Sequence, residues 1–104
     1  MRRGEVWWAE FPLPTGRRPV LMISRNDAYD VRSAVTAAQI TRIIRNIPVE
    51  VGLDVTDGMP ETCVVNLDTI TTVSKARLDR QITALSEEKM SAVDTAIKYA
   101  LGLD

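Results

Sequence analysis

Apolar and β-branched residues occur in short runs over the first 85 positions, and Gly, Pro and Asp separate these runs. Runs of this composition predict strands. Six strands are expected, at residues 4–11, 20–24, 33–41, 47–53, 62–73 and 81–85. The second run, "VLMIS", is a continuous apolar stretch of the kind found in strands buried on both faces. The fifth run, "TCVVNLDTITTV", is the strongest β signal and is long enough for one bent strand or two.

The segments between the runs predict turns. "PLPTGRRP" concentrates prolines and a glycine in one connecting loop, and "DVTDGMPE" combines Asp-Gly with a proline. "RNDAYDVR" and "SKARLD" each predict a turn or a single short turn of helix.

The pattern changes to a helical period after residue 85. Apolar side chains recur at steps of three and four residues, at Met90, Val93, Ile97 and Leu101. Ser86 is a favoured N-cap residue, and Gly102 is a favoured residue after a helix end. Many short strands followed by one amphipathic helix predict a mainly β domain with some α over residues 1–104. Its expected architecture is a small, strongly bent β-barrel with the C-terminal helix packed on it.

Composition narrows the chemistry. The 104 residues contain no histidine and a single cysteine, Cys63. The absence of histidine excludes a histidine triad and a histidine-pair ribonuclease mechanism, and a zinc site lacks its usual ligands. We therefore expect neither a metal nor another cofactor. An enzyme with this sequence has to use Arg, Thr, Ser, Asp, Glu or Tyr.

The sequence also predicts the compartment. Its apolar runs are only of strand length, and its start, "MRRGEVWW", lacks the apolar stretch and the cleavage site of a signal peptide. Cys63 has no partner for an internal disulfide, which suits a reducing compartment. We expect a cytoplasmic protein with no membrane partner.

The net charge of −1 hides an uneven distribution. Residues 1–50 carry eight arginines, no lysine and five acidic residues, which is a balance of +3. Residues 51–104 carry five basic and nine acidic residues, which is a balance of −4. Arginine has a planar guanidinium that suits phosphate. The first half is therefore a candidate phosphate-binding region, while the low total charge predicts weak non-specific binding to nucleic acid.

One arginine of this half stands in a restrained position. In "TGRRPVLMIS", Arg18 directly precedes Pro19, and the apolar strand follows. Proline fixes its own φ and pushes the residue before it into extended geometry. The guanidinium of Arg18 is thus held at the mouth of a buried strand. It is either a solvated charge at a strand entry or a positioned cation that waits for an anion.

Five motifs follow one another along the chain: "RGEVWWAEF", "GRRPVLMIS", "AAQIT", "VVNLDTITTV" and "ARLDRQITALSEEKM". In their order and spacing the chain resembles the MazF/PemK (Kid)-type toxins over essentially its whole length. The resemblance implies an SH3-like barrel of the CcdB/MazF type that forms a homodimer. It implies a metal-independent endoribonuclease that cuts single-stranded RNA at short sequences. It also implies a cognate MazE-like antitoxin that inactivates the enzyme, with operator DNA bound only through that antitoxin.

The resemblance assigns roles to single residues. Arg18 matches the catalytic arginine of the family, Thr41 matches its catalytic threonine, and Asp68 matches an acidic position proposed as a general base. Arg18 would stabilise charge on the scissile phosphate, Thr41 would add a hydroxyl donor, and Asp68 would accept the 2′-OH proton once buried. Five further residues are expected to bind the substrate: Arg17, Ser24, Arg25, Arg42 and Asn66.

Each of these assignments has a purely structural alternative. Thr41 suits any strand because it is β-branched, and Asp68 suits a turn or a pair with an arginine. Trp7 and Trp8 are adjacent, so on a strand they face opposite sides. We expect core or dimer burial for both, and the alternative for one of them is a place on the surface, where it has access to an RNA base or an antitoxin.

The chain also departs from the family pattern. The loop "PLPTGRRP" is short, and Thr69 and Thr71 stand in the strand where members often carry Gln and then Arg or Lys. The cut sequence is therefore not transferable from a relative. Two other functions stay open. One is a CcdB-like gyrase poison, although the tryptophan on which that activity depends is missing from "KYALGLD". The other is a catalytically weak module that only binds an antitoxin.

Overall fold

The computed structural model describes residues 1–103, which form six strands, two α-helices and two 3₁₀ turns. The strands and helices are β1 (Glu5–Glu10), β2 (Arg17–Met22), α1 (Ala28–Val31), β3 (Ala34–Thr41), β4 (Glu50–Leu53), β5 (Cys63–Ser74), β6 (Leu78–Ala84) and α2 (Glu87–Leu101). The 3₁₀ turns lie at Val55–Asp57, after β4, and at Lys75–Arg77, before β6.

All strands belong to one sheet in the order β4-β5-β3-β2-β1-β6, and every neighbouring pair is antiparallel. The sheet curls into a half-barrel whose edges are β4 and β6, and α2 packs against β4 and β5. The mainly β class, the bent sheet and the C-terminal helix predicted from the sequence are confirmed.

β2 and β6 each begin three residues earlier than their apolar runs predicted. Arg17 pairs with Glu10 and Arg18 pairs with Ala9, so both arginines belong to a strand and not to a loop. At the other side of β1, Leu78 pairs with Ala9. Cross-strand pairing extends these strands beyond their apolar segments, and the pattern of apolar residues does not predict that extension.

β2 is buried on both faces, as its apolar run predicted. Leu21 enters a core cluster that packs under α2, whereas Val20 and Met22 enter a second cluster on the opposite face of the sheet. The first cluster includes Val6, Ile40, Val51, Leu53, Leu67, Val93 and Ala96. The second includes Ala9, Tyr29, Val35, Ala37 and Val73. This rigid support lies directly behind Arg17 and Arg18.

β5 is one continuous strand with a bulge in its middle. Its register with β3 breaks between Ala38 and Ile40, where residues 66–69 of β5 stand opposite a single residue of β3. Within this bulge the side-chain oxygen of Asn66 accepts a hydrogen bond from the backbone N–H of Asp68 at 2.9 Å. A bulge bends a strand and re-aims its side chains, which is how 12 residues follow the curve of the half-barrel.

The termini of α2 follow the sequence prediction. The Ser86 hydroxyl accepts a hydrogen bond from the Lys89 N–H at 3.1 Å, and Gly102 ends the helix with a φ of 69°. Neither of the α-helices in residues 1–103 combines the length and the apolarity that a membrane span requires.

A close backbone approach joins the two edges of the half-barrel. The Thr83 hydroxyl in β6 donates to the carbonyl of Asp57, in the 3₁₀ turn after β4, at 2.9 Å. Gly58 follows with a φ of +90°, and a Cβ at this position would lie 2.8 Å from the Cβ of Thr83. Position 58 therefore requires glycine both for its backbone conformation and for space.

Candidate functional site

A cavity of about 260 Å³ lies where β2 begins and β3 ends, and Arg18 and Thr41 both line it. The two strands are neighbours in the sheet and run antiparallel, which brings the start of one beside the end of the other. The structure thus places together the two residues that the resemblance assigned to catalysis. Arg17 and Arg42, two of the predicted substrate-binding residues, line the same cavity.

The adjacent arginines of this cavity differ in their partners. The guanidinium of Arg17 lies 4.6 Å from the centroid of the Trp8 ring and forms ion pairs with Asp79 at 3.2 Å and Glu10 at 3.5 Å. Arg18 is exposed, and its guanidinium makes no hydrogen bond or ion pair with any other side chain of residues 1–103. Arg18 is therefore the cation of this motif that is available to an anion.

Thr41 ends β3 in a half-buried position. Its hydroxyl oxygen accepts a hydrogen bond from the backbone N–H of Ile43 at 3.1 Å. That contact uses a lone pair and fixes the oxygen, so the O–H remains available to donate to a ligand in the cavity. The arrangement offers one positive charge without a protein partner among residues 1–103 and one neutral donor to the same space.

The floor of the cavity is apolar and its rim is charged. Ile40, Met59 and Cys63 are buried beneath it, with 2%, 4% and 3% of their surface exposed. At the rim, Arg42 and Glu61 form an exposed ion pair at 3.4 Å. Burial is the main factor that raises the pKa of the Cys63 thiol, and nearby carboxylates, Glu61 first, raise it further. The thiol is thus a neutral, apolar part of the floor.

A second cavity, of about 200 Å³, shares Thr41 with the first. Asn66 lines it and is 8% exposed. Asp68, two residues further along β5, lines neither cavity, and its side chain is exposed. The structure therefore brings Asn66 beside Thr41 but leaves Asp68 outside, without the burial that its predicted role requires.

Ser24 and Arg25 lie apart from these residues and line a third cavity of about 540 Å³ next to α1. The Ser24 hydroxyl accepts a hydrogen bond from the Thr36 N–H at 2.7 Å. The backbone carbonyl of Ser24 accepts a hydrogen bond from the Tyr29 hydroxyl at 3.0 Å. Arg25 pairs with Asp27 at 2.8 Å. In this structure Ser24 supports the α1 segment, and the structure does not bring Ser24 or Arg25 to Arg18.

Two residues of the Arg18 cavity, Met59 and Glu61, are not predictable as site residues from the sequence. Met59 and Glu61 both belong to "DVTDGMPE", which the sequence marks only as a turn. No local pattern indicates that this turn folds back to β2. The residues described by the structure contain no group of three His, Cys, Asp or Glu side chains close enough to hold a metal ion.

Comparison with known proteins gives a family. The family model described as "PemK-like, MazF-like toxin of type II toxin-antitoxin system" matches residues 2–101. "Probable endoribonuclease MazF5" of Mycobacterium tuberculosis is 38% identical over 100 residues, which cover 95% of this chain and 91% of the relative. "Probable endoribonuclease MazF2" of the same species is 35% identical over 103 residues, which cover 98% and 99%.

Solved structures of similar proteins share the whole fold. The structure described as "Mycobacterium tuberculosis toxin MazF-mt6" matches with a TM-score of 0.88 at 31% identity, covering 96% of this chain and 98% of the other. The structure described as "Endoribonuclease in complex with its cognate antitoxin from Mycobacterial species" matches with a TM-score of 0.90 at 31% identity, covering 100% and 97%. The similarity therefore includes the strands that carry Arg18 and Thr41.

Proposed function

The chain belongs to the PemK-like, MazF-like toxins of type II toxin–antitoxin systems, and we propose that it is an endoribonuclease that cuts single-stranded RNA at short sequences without a metal. The observation that carries this proposal is the shared cavity of Arg18 and Thr41, in which Arg18 is free of ion-pair partners within residues 1–103. The RNA supplies its own nucleophile, the 2′-OH. The bond from the 2′-oxygen to phosphorus forms as the 2′-OH loses its proton, and the bond from phosphorus to the 5′-oxygen breaks as that oxygen takes a proton from water.

Arg18 acts in this proposal as a fixed cation. The pentacoordinate phosphorane carries more negative charge than the phosphodiester, and a guanidinium offers two parallel N–H donors to its oxygens. Arginine side chains stay protonated in proteins, so we assign Arg18 to charge stabilisation and not to proton transfer. Pro19 and the buried part of β2 behind it hold the backbone from which the guanidinium projects.

Thr41 adds a second donor to the same phosphate. Its oxygen is fixed by the Ile43 N–H, and its O–H is directed by whatever acceptor enters the cavity. A hydrogen bond from a hydroxyl to a non-bridging phosphate oxygen becomes stronger as that oxygen gains charge in the transition state. Arg18 and Thr41 together thus bind the transition state more strongly than the substrate.

Asp68 is the proposed acceptor of the 2′-OH proton. Asp68 lies outside the cavity. It therefore reaches the 2′-OH only when the ribose next to the scissile phosphate lies over the β5 bulge. Asn66 supports such a path, because it lines the second cavity beside Thr41 and its side chain contacts the Asp68 N–H. RNA across both cavities covers the bulge and excludes water from the Asp68 carboxylate, which favours its action as a base.

Other substrate contacts follow from position. Arg17 and Arg42 line the first cavity, which supports contacts to the RNA backbone or bases near the cut. Ser24 and Arg25 line the separate cavity beside α1 and would contact only a more distant part of the strand. The small net charge predicts that binding depends on these few contacts and not on a general positive field.

The proposal includes a MazE-like antitoxin that covers the RNA-binding surface. A similar endoribonuclease has been solved in complex with its cognate antitoxin, which supports such a partner. We further propose a homodimer, with operator DNA bound only through the antitoxin. Large exposed apolar side chains suit contacts of this kind: Val31, Ile43, Ile44, Tyr99 and Leu101. A cytoplasmic location stays a prediction from the sequence.

End-mapping of RNA treated with the purified protein in EDTA tests the proposed function. The wild type should cut single-stranded RNA at a small set of sequences, and Arg18→Ala should lower kcat by about 100-fold or more. Thr41→Ala should lower kcat by about tenfold or more. Arg2→Ala is the matched control, because Arg2 is exposed and lines none of the cavities described above. RNA that stays intact, or cutting that Arg18→Ala leaves unchanged, would refute the proposal.

A further inference from the structure

The proposed mechanism leaves most of the Arg18 cavity unused. Arg18 and Thr41 account for the phosphate, but the apolar floor of Ile40, Met59 and Cys63 has no part in that chemistry. Neither has the Arg42–Glu61 pair at the rim. A floor of buried apolar atoms beside a charged rim is the usual form of a pocket that holds a ligand and fixes its orientation.

The size of the cavity limits its occupant. Its volume of about 260 Å³ is below the range of about 300 to 1,000 Å³ that is usual for sites of drug-sized ligands. One planar ring system fits within such a space. The flat guanidinium of Arg17, stacked on Trp8 and still 44% exposed, forms part of the wall. Unpaired bases stack on aromatic rings and on arginine guanidinium planes in RNA-binding proteins.

The position and charge of the cavity favour a nucleobase as this ring system. Arg18 and Thr41 line the same cavity, so a group bound on the floor lies next to the phosphate that they contact. The cavity is lined by three arginines and one acidic residue, Glu61, which favours a ligand that belongs to a polyanion. A base of the cut RNA strand meets both conditions.

Glu61 gives the cavity a chemical preference among bases. A carboxylate only accepts hydrogen bonds, and among bases it pairs with exocyclic amino groups, as Glu and Asp do with cytosine N4. Its partner Arg42 is 75% exposed, and the ion pair is therefore of the kind that contributes little to stability. Glu61 can exchange Arg42 for the amino group of a base at small cost, and Arg42 then turns to the RNA backbone.

We propose that the Arg18 cavity is a subsite for one unpaired base with an exocyclic amino group, and that Glu61 determines this specificity by accepting its hydrogen bond. The inference rests on the proposed function, because it names a base of the RNA that Arg18 and Thr41 cut. It makes Glu61 a residue that selects the sequence and not one that performs the chemistry.

Modified RNA tests the subsite with the unaltered protein. Once the preferred sequence is mapped, each base near the cut is replaced singly by the analogue without its amino group. Pyrimidin-2-one riboside replaces cytidine, purine riboside replaces adenosine, and inosine replaces guanosine. At one position the analogue should lower kcat/KM by about tenfold or more, the effect of a lost hydrogen bond to a charged group. If every analogue is cut as fast as its parent, the proposal is wrong.

Glu61→Gln then links that position to the residue. The Gln amide donates as well as accepts, so the preference at this one position should shift towards the base with a carbonyl in place of the amino group, which is uracil for cytosine, hypoxanthine for adenine and xanthine for guanine. The loss caused by the analogue should shrink to less than about threefold in this variant. Glu88→Gln is the matched control, because Glu88 is an exposed glutamate of α2 that lines none of these cavities. Its base preference should equal that of the wild type.

The outcomes separate the two proposals. A wild-type protein that cuts no RNA refutes the proposed function. A wild type that cuts, with a base preference that Glu61→Gln leaves unchanged, refutes the subsite alone. An equal loss of kcat/KM in Glu61→Gln on all sequences also refutes it, because Glu61 then does not distinguish bases. If Glu61→Gln binds an antitoxin peptide more weakly than the wild type does but keeps the base preference of the wild type, the cavity is a peptide site and the proposal is wrong.

Discussion

The guanidinium of Arg17 lies 4.6 Å from the centroid of the Trp8 ring. Trp8 directly precedes Ala9, which pairs with Arg18 across the two strands. Arg17 and Arg18 both line the same cavity, but they differ in their partners. Arg17 is held by aromatic and acidic groups, whereas Arg18 has no ion-pair partner in the described part of the chain. One motif thus supplies both a wall and a free cation.

Substitution of each arginine should therefore change a different kinetic constant. Arg18→Ala should lower kcat by about 100-fold or more, because it removes charge stabilisation from the transition state. Arg18→Lys should restore only part of this loss, since an ammonium lacks the two parallel donors. Arg17→Ala should mainly raise KM, by about threefold to tenfold, because its role is to form the wall of the cavity. Steady-state cleavage of one short RNA measures both constants.

Thermal unfolding of the same variants provides the control for this comparison. Arg17→Ala loses a cation–π contact and two exposed ion pairs, so it should lower the free energy of unfolding by about 1 kcal/mol. Arg18→Ala should leave stability within about 0.5 kcal/mol of the wild type. If Arg17→Ala lowers kcat as much as Arg18→Ala, the division between the two residues is wrong.

Asp68→Asn tests the proposed base. The amide keeps the size of the side chain and the backbone contact to Asn66, but it accepts no proton. The variant should lower kcat by about 100-fold. Asp30→Asn, at an exposed aspartate of α1, is the control and should leave kcat unchanged. A fully active Asp68→Asn would show that another group, or water, takes the 2′-OH proton.

The fold was largely predictable because the pattern of apolar and polar residues along the chain describes how each element is buried. The apolar run of β2 predicted burial on both faces, and the period of α2 predicted its packed face. The limits of β2 and β6 were not predictable in this way. Their first residues are held by pairing with β1, and pairing partners distant in sequence leave no periodic signal.

The site was predictable only in part, for the same reason. Arg18 and Thr41 were identified through motifs, and the structure places them in one cavity because β2 and β3 are neighbours. Glu61 and Met59 reach this cavity through the fold-back of the segment after β4, which no local pattern describes. The exposure of Asp68 depends on the bulge in β5, and the sequence indicated a bend there but not its direction.

Tyr29 should make stability depend on alkaline pH. Burial raises its pKa from the ordinary 10.0 to about 12, and its hydroxyl donates to the Ser24 carbonyl at 3.0 Å. Because the folded state holds this proton more tightly, the contribution is complete below pH 10 and is lost as the pH rises from 10 through 12. The loss should reach about 2 kcal/mol, measured by urea unfolding across this range.

Tyr29→Phe removes that titration and separates it from other alkaline effects. The variant should be about 1 kcal/mol less stable at pH 8, because the hydrogen bond to Ser24 is gone. Its stability should nevertheless fall less steeply than that of the wild type above pH 10. Tyr99→Phe, at a position 63% exposed, should retain the slope of the wild type. Equal slopes for Tyr29→Phe and the wild type would contradict the assignment.

Gly58→Ala should be strongly destabilising for two separable reasons. Its φ of +90° opposes any L side chain, and the new Cβ would collide with Thr83, whose hydroxyl donates to Asp57. We expect a loss of about 3 kcal/mol in the free energy of unfolding in urea. In a Thr83→Gly background, which removes the opposing Cβ, the added loss should fall to about 1 kcal/mol, because only the backbone strain remains. Gly52→Ala is the control, since nothing lies within 4 Å of a Cβ at Gly52. An equal loss in both backgrounds would mean that the two edges of the half-barrel do not depend on this close approach.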